Sequence, residues 1–150
     1  MPAPTPLSLR ARALKALARR EHSRQELQAK LRPFAEDPDE IEPLLDDLEK
    51  RGWLSEARFV EHTTTVRRRK FGAARILHEL REKGVSDAAL AAAQSRLKDS
   101  EVDAARSVWK KKFGSLPTTL QERAKQARFL ASRGFSAEAV HAVLKKSCED

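Results

Sequence analysis

Leu80-Arg-Glu-Lys-Gly-Val-Ser86, followed four positions later by Leu90, is the stretch on which the fold turns. It runs leucine, two variable residues, a base, a glycine, an apolar residue and a serine. Glycine adopts the left-handed conformation that ends a helix, and a base beside it complements the negatively polarised last carbonyls. Serine then accepts a hydrogen bond from a free backbone N–H and starts the next helix. The stretch is therefore a joint between two helices.

The same pattern occurs elsewhere in the chain. Leu17-Ala-Arg-Arg-Glu-His-Ser23 precedes Leu27, Leu48-Glu-Lys-Arg-Gly-Trp-Leu-Ser55 is one residue longer and precedes Phe59, and Leu130-Ala-Ser-Arg-Gly-Phe-Ser136 precedes Val140. Gly52, Gly84 and Gly134 are the predicted stops, flanked by Arg51, Lys83 and Arg133; Ser23, Ser55, Ser86 and Ser136 are the predicted starts. Ser23 with Glu26 makes a capping box, and further boxes are expected at Asp39/Glu42 and Thr119/Glu122. Ile41, Leu44, Leu45 and Leu48 keep helical spacing, as do Ile76, Leu77 and Leu80, and Val102, Ala105, Trp109 and Phe113. A second echo joins Arg67-Arg-Arg-Lys-Phe-Gly72 to Lys110-Lys-Lys-Phe-Gly114, each closing a helix with a basic run, a phenylalanine and a glycine.

These signals predict an all-α chain of about nine helices, near residues 8–21, 23–33, 39–51, 55–69, 72–83, 86–97, 100–113, 119–133 and 136–147. They group as tandem three-helix repeats forming an elongated curved array, of the kind that grips an extended partner. The expected divisions are a disordered leader at 1–8 with Pro2, Pro4 and Pro6, a first repeat with its joint at 9–69, a second at 70–114, and a third, shortened repeat at 115–150.

Composition points the same way. The apolar share is 40%, carried mainly by Ala and Leu, with five Gly and no Tyr, which disfavours a sheet. Thirty Lys and Arg against 22 Asp and Glu leave a net charge of +8, favouring polyanions, acidic proteins or anionic surfaces as partners. Arg10, Arg12, Lys15, Arg19 and Arg20 crowd the first twenty residues without an acid, but Leu14 and Leu17 run on into the first repeat, so the cluster reads as fold rather than targeting leader. The longest apolar run, Ala88 to Ala93, falls far short of the ~20 residues a bilayer requires. The single Cys148 can form no internal disulfide, as in a reducing compartment, and the expected location is the cytoplasm.

Catalytic signatures are missing. There is no phosphate-cradling glycine loop, no pair of histidines flanking a glutamate at helical spacing, and His22, His62, His78 and His141 are scattered. No enzyme, metal site or cofactor is expected. The basic clusters are the candidate binding residues: Arg20 and Arg24 at the first joint, Arg58 after the next, Arg67, Arg68, Arg69, Lys70 and Arg75 around one helix end, Lys110, Lys111 and Lys112 around the equivalent end, and Arg133. Repeated cationic helix ends can neutralise phosphates and release counterions. Trp53, Phe59, Phe71, Trp109, Phe113, Phe129 and Phe135 are expected in the core, since they sit at joints or on apolar stripes.

Residues 16–27, 48–59, 71–84 and 129–136, in that order and spacing, resemble the bacterial RecX family, modulators of the RecA recombinase, and the resemblance covers about residues 9–146. It implies tandem three-helix repeats in a monomeric protein that binds RecA and the RecA–single-stranded DNA filament, with direct DNA contact possible. It further implies inhibition of RecA's ATPase and strand exchange, and hence a role in recombination, DNA repair and the SOS response. The chain departs from commoner versions in having His22 where a tyrosine is frequent and Ser55-Glu56 where an acidic pair is frequent. A general helical DNA- or RNA-binding module is the alternative reading of the same basic joints.

Overall fold

The computed structural model describes residues 6–145, so Cys148 and the first five residues of the predicted leader lie outside the described residues. Among the described residues the regular structure is entirely helical: α1 (Leu9–Arg19), α2 (Arg24–Leu31), α3 (Ile41–Lys50), α4 (Glu56–Arg67), α5 (Ala73–Glu82), α6 (Asp87–Asp99), α7 (Glu101–Lys112), α8 (Leu120–Ser132) and α9 (Ala137–Leu144). Two single 3₁₀ turns, Arg32–Phe34 and Pro38–Glu40, join α2 to α3. The expected all-α repeat architecture is what is found. Among the described residues no helix is long and apolar enough to cross a membrane.

The joints work as their chemistry predicts. Gly52, Gly84 and Gly134 have φ of 79°, 83° and 91°. Ser23, Ser86 and Ser136 accept from the backbone N–H three residues on, and Ser55 does the same for Arg58. Ser23 and Glu26 form the full capping box. The Asp39/Glu42 box does not form. Pro38 opens a 3₁₀ turn instead, with Asp37 accepting from the Asp39 N–H, and α3 then begins at Ile41, its N-cap Glu40 making no side-chain cap bond. Thr119 caps α8 by accepting from the Glu122 N–H, and the Glu122 carboxylate accepts from the N–H and hydroxyl of Thr118.

The chain divides into two compact units, Met1–His62 with Lys83–Val85, and Thr63–Glu82 with Ser86–Asp150. The first packs α1 on α2 and α2 on α3 around Ala13, Leu27, Leu31, Ile41, Leu45, Leu48 and Leu54. Leu27, Leu45 and Leu48 are fully buried, each removing on the order of 1.5–3 kcal/mol worth of apolar surface from water. In the second unit α5 packs on α6, and α7, α8 and α9 pack on one another around Ala105, Val108, Leu130, Phe135, Ala139, Val140 and Val143. Phe59, Phe71 and Phe135 are buried as expected, but Trp53 is 44% exposed, its ring beneath the Arg51 guanidinium instead of in the core.

Candidate functional site

Gly72, which ends the first basic run, is not left-handed. It is needed for close approach: its N–H donates to the Arg133 carbonyl at 2.7 Å, and a Cβ here would sit closer to the Gly134 carbonyl and the Phe135 nitrogen than the 3.0 Å that real Cβ atoms respect. Two joints far apart in sequence, α4–α5 and α8–α9, are thus pressed backbone to backbone. Glu101, at the start of α7 and 7% exposed, fastens them from the other side. One carboxylate oxygen accepts from the Ala73 N–H at 3.0 Å and from Arg68 at 2.7 Å; the other accepts from the Ser136 N–H at 3.1 Å. In α2 the equivalent of that last bond comes from Glu26, three residues after the cap; α9 has Ala139 at this place, so Glu101 completes its capping box from another helix.

Fusing these joints collects cations around two rings. The guanidinium carbons of Arg67 and Arg75 lie 4.2 and 4.3 Å from the centre of the Phe71 ring, and that of Arg133 lies 5.6 Å from it. Arg133 also lies 4.9 Å from the Phe129 ring centre, which Lys112 approaches to 5.5 Å and which Phe113 meets edge-on. Arg67 from the first basic run and Lys112 from the second therefore belong to one alternating ladder, with Arg133 spanning both rings. Each ring face, carrying partial negative charge, offsets about 0.5–1 kcal/mol of the cost of holding cations together at an exposed site.

The ladder carries unneutralised charge. Among the described residues Glu79 is the one carboxylate paired with it: it receives both arms of Arg67, at 2.8 and 2.6 Å, and lies 3.8 Å from Arg75. The Glu79 bonds keep the Arg67 guanidinium firmly charged, raising its pKa above the usual arginine value. Arg75 is 47% exposed, and Arg69, Lys70, Lys110 and Lys111 are exposed around the two helix ends. Such a group of cations on aromatic faces has the chemistry to receive anionic oxygens, since planar guanidinium forks match phosphate geometry.

The remaining predicted residues serve the fold. Arg68 is nearly buried and bonds Glu101, the Leu97 carbonyl and Ser100. Arg24 reaches three carboxylates on one face of α3, those of Glu42, Asp46 and Glu49. Arg20 grips Glu26, and Arg58 bonds Glu21 and the Gly52 carbonyl. Glu79, Glu101 and the aromatic half of the ladder escaped the sequence reading. Glu101 opens a helix whose flanking Ser100 makes no side-chain cap bond, and neither its burial nor its distant partners are written in the local sequence. Among the described residues no cluster of three or more His, Cys, Asp or Glu could hold a metal ion.

Comparison with known proteins bears on what this arrangement serves. Three family profiles match, described as the first, second and third three-helix domains of RecX, over residues 10–48, 55–93 and 99–144. Regulatory protein RecX of Leptothrix cholodnii is 50% identical over 139 residues, 93% of this chain and 88% of that protein. Regulatory protein RecX of Ralstonia nicotianae is 47% identical over 140 residues, again 93% of this chain and 88% of that protein. The crystal structure of RecX from Lactobacillus salivarius superposes with a TM-score of 0.75 at 18% identity, covering 90% of this chain and 91% of that one, which is a likeness of fold. These relatives are named as regulatory proteins, not as enzymes. With three domain profiles in tandem order and close relatives matched over most of their length, this chain belongs to the RecX family of regulatory proteins.

Proposed function

We propose that the protein regulates the RecA recombinase by binding RecA and its filament on single-stranded DNA, and that it inhibits the ATPase and strand-exchange activities of that filament. Family membership supplies the partner class. The observation that carries the contact is the Arg75–Phe71–Arg133–Phe129–Lys112 ladder, where cations outnumber the one carboxylate of Glu79. On this reading Arg69, Lys70, Arg75, Lys110, Lys111, Lys112 and Arg133 touch acidic or phosphate groups of the filament. Arg67 and Arg68 hold the joints that display them, and Arg20, Arg24 and Arg58 hold those of the first unit. The protein acts in the cytoplasm, as a monomer, through several weak contacts that compound because each raises the effective concentration of the next.

The test is RecA's DNA-dependent ATPase with the protein substoichiometric to RecA, repeated with single-stranded DNA in large excess. Inhibition that persists in excess DNA supports the filament regulator. The same cationic ladder favours a second reading, a general nucleic-acid-binding module, and in that case naked DNA titrates the inhibition away. A pull-down with RecA, with and without single-stranded DNA and a nucleotide triphosphate analogue, identifies the state that is bound.

A further inference from the structure

Four cations of the first unit that form no ion pair gather at one groove, while Arg32 and Lys50, also outside any ion pair among the described residues, do not line it. Arg10, Arg20, Arg24, Arg51 and Arg58 each sit on a carboxylate. By contrast Arg12, Lys15 and Arg19, spaced along one face of the acid-free α1, and Lys30 on α2 form no ion pair among the described residues. These four rim a groove of about 290 Å³ between the two helices, whose floor is aliphatic: Leu7, Ala16, Leu27 and Leu31. Phe34 closes one side and is 53% exposed, and Leu7 is 47% exposed. The Arg12 guanidinium lies 3.6 Å from the centre of the Phe34 ring, and its Nε is buried without an acceptor.

An aliphatic floor inside a ring of four cations selects its occupant. Phosphates need the cations but gain nothing from leucine, and Arg12 already occupies one face of the ring on which a base would stack. A bulky apolar side chain flanked by carboxylates uses both features, since the groove has room for about one such side chain and the rim supplies charge-assisted bonds on either side. The geometry points to this groove as a docking site for a short acidic peptide segment of a partner protein, anchored by one large apolar residue. The inference does not depend on the Phe71 and Phe129 ladder, and the two fail separately.

The probe is the fluorescein-labelled peptide Glu-Asp-Phe-Asp-Glu, bound to the full chain and followed by fluorescence anisotropy, beside the same peptide with alanine in place of phenylalanine. The phenylalanine peptide binds at least tenfold more tightly than the alanine peptide. Lys15→Glu with Lys30→Glu, both on exposed positions, lowers its affinity at least tenfold without changing the melting temperature, and Lys110→Glu with Lys111→Glu leaves it unchanged. Equal affinity for the two peptides overturns the proposal, as does undiminished binding by the Lys15→Glu/Lys30→Glu protein. Complete displacement of the peptide by oligothymidylate at equal charge concentration also overturns it and makes the groove a nucleic-acid surface.

Discussion

Replacing Gly72 by alanine tests how the two joints of the second unit are held together. Gly72 is not in the left-handed region, so backbone strain plays no part; the added methyl meets the Gly134 carbonyl and the Phe135 nitrogen, backbone atoms that cannot rotate away. Relieving the clash means separating the joints, which stretches the Gly72 N–H bond to Arg133 and draws Ala73 and Ser136 off Glu101. Overpacking of this kind costs roughly 1–3 kcal/mol and the lost hydrogen bond about 1 more, or about 2–4 kcal/mol together. In a chain of this size that lowers the melting temperature by roughly 5–15 °C. Gly114 is the internal control: it is left-handed at φ 77°, but its added methyl meets the Lys110 carbonyl at an ordinary 3.5 Å, so alanine there costs only the backbone penalty of about 1–2 kcal/mol. Urea unfolding followed by far-ultraviolet circular dichroism ranks the two. If Gly72→Ala costs no more than Gly114→Ala, the joints do not depend on close backbone approach and the reasoning is wrong.

Glu101→Gln leaves Arg68 without its counter-charge in a nearly buried position, and the expected loss is about 3–5 kcal/mol, read from the urea midpoint. In the first unit, burial raises the Glu26 pKa, but bonds from Arg20 and the Ser23 N–H, with the charges of Arg20 and Lys83, outweigh it and bring the group down to about 2. Its folded pKa is depressed from 4.5, so its contribution, on the order of 3 kcal/mol, is present above pH 4.5 and is lost as pH falls toward 2; Glu26→Gln flattens acid unfolding across that window. His22 is 1% exposed, with Nδ1 3.0 Å from the Arg20 carbonyl, and burial, more than any other influence, lowers its pKa below 6.5. The unfolded chain then takes up a proton that the folded one refuses, so stability declines as pH drops below 6.5, and His22→Phe removes that decline in melting temperatures measured between pH 7 and pH 5.

The helices were legible because each boundary is written locally: a left-handed glycine, a serine cap, an apolar stripe. Where the signal was local but ambiguous the reading slipped, as at Asp39, where the proline before it favours a 3₁₀ turn over the start of an α-helix. The candidate residues were legible only as types. Arg67, Arg68 and Arg69 are consecutive and chemically alike, yet the first clamps Glu79, the second ties down Glu101, and the third is exposed. The helix ends at Arg67 and the chain turns through Arg68 and Arg69, so the three point to different surroundings, and the carboxylates that await the first two lie 12 and 33 residues away. Gly72 and Gly114 carry the same motif for different reasons, which no local pattern separates. Phe34 drew no attention in the sequence because it belongs to no repeat.

The most direct test of the account is half-inhibition of the ATPase of RecA on single-stranded DNA by the wild-type protein and by Arg75→Glu/Lys112→Glu/Arg133→Glu, with melting temperatures confirming that both are folded. Loss of charge-assisted contacts worth about 1.4 kcal/mol or more in total shifts half-inhibition at least tenfold to higher concentration. Unchanged inhibition by a folded triple variant would contradict it, and the cationic ladder would then have no part in regulating the filament.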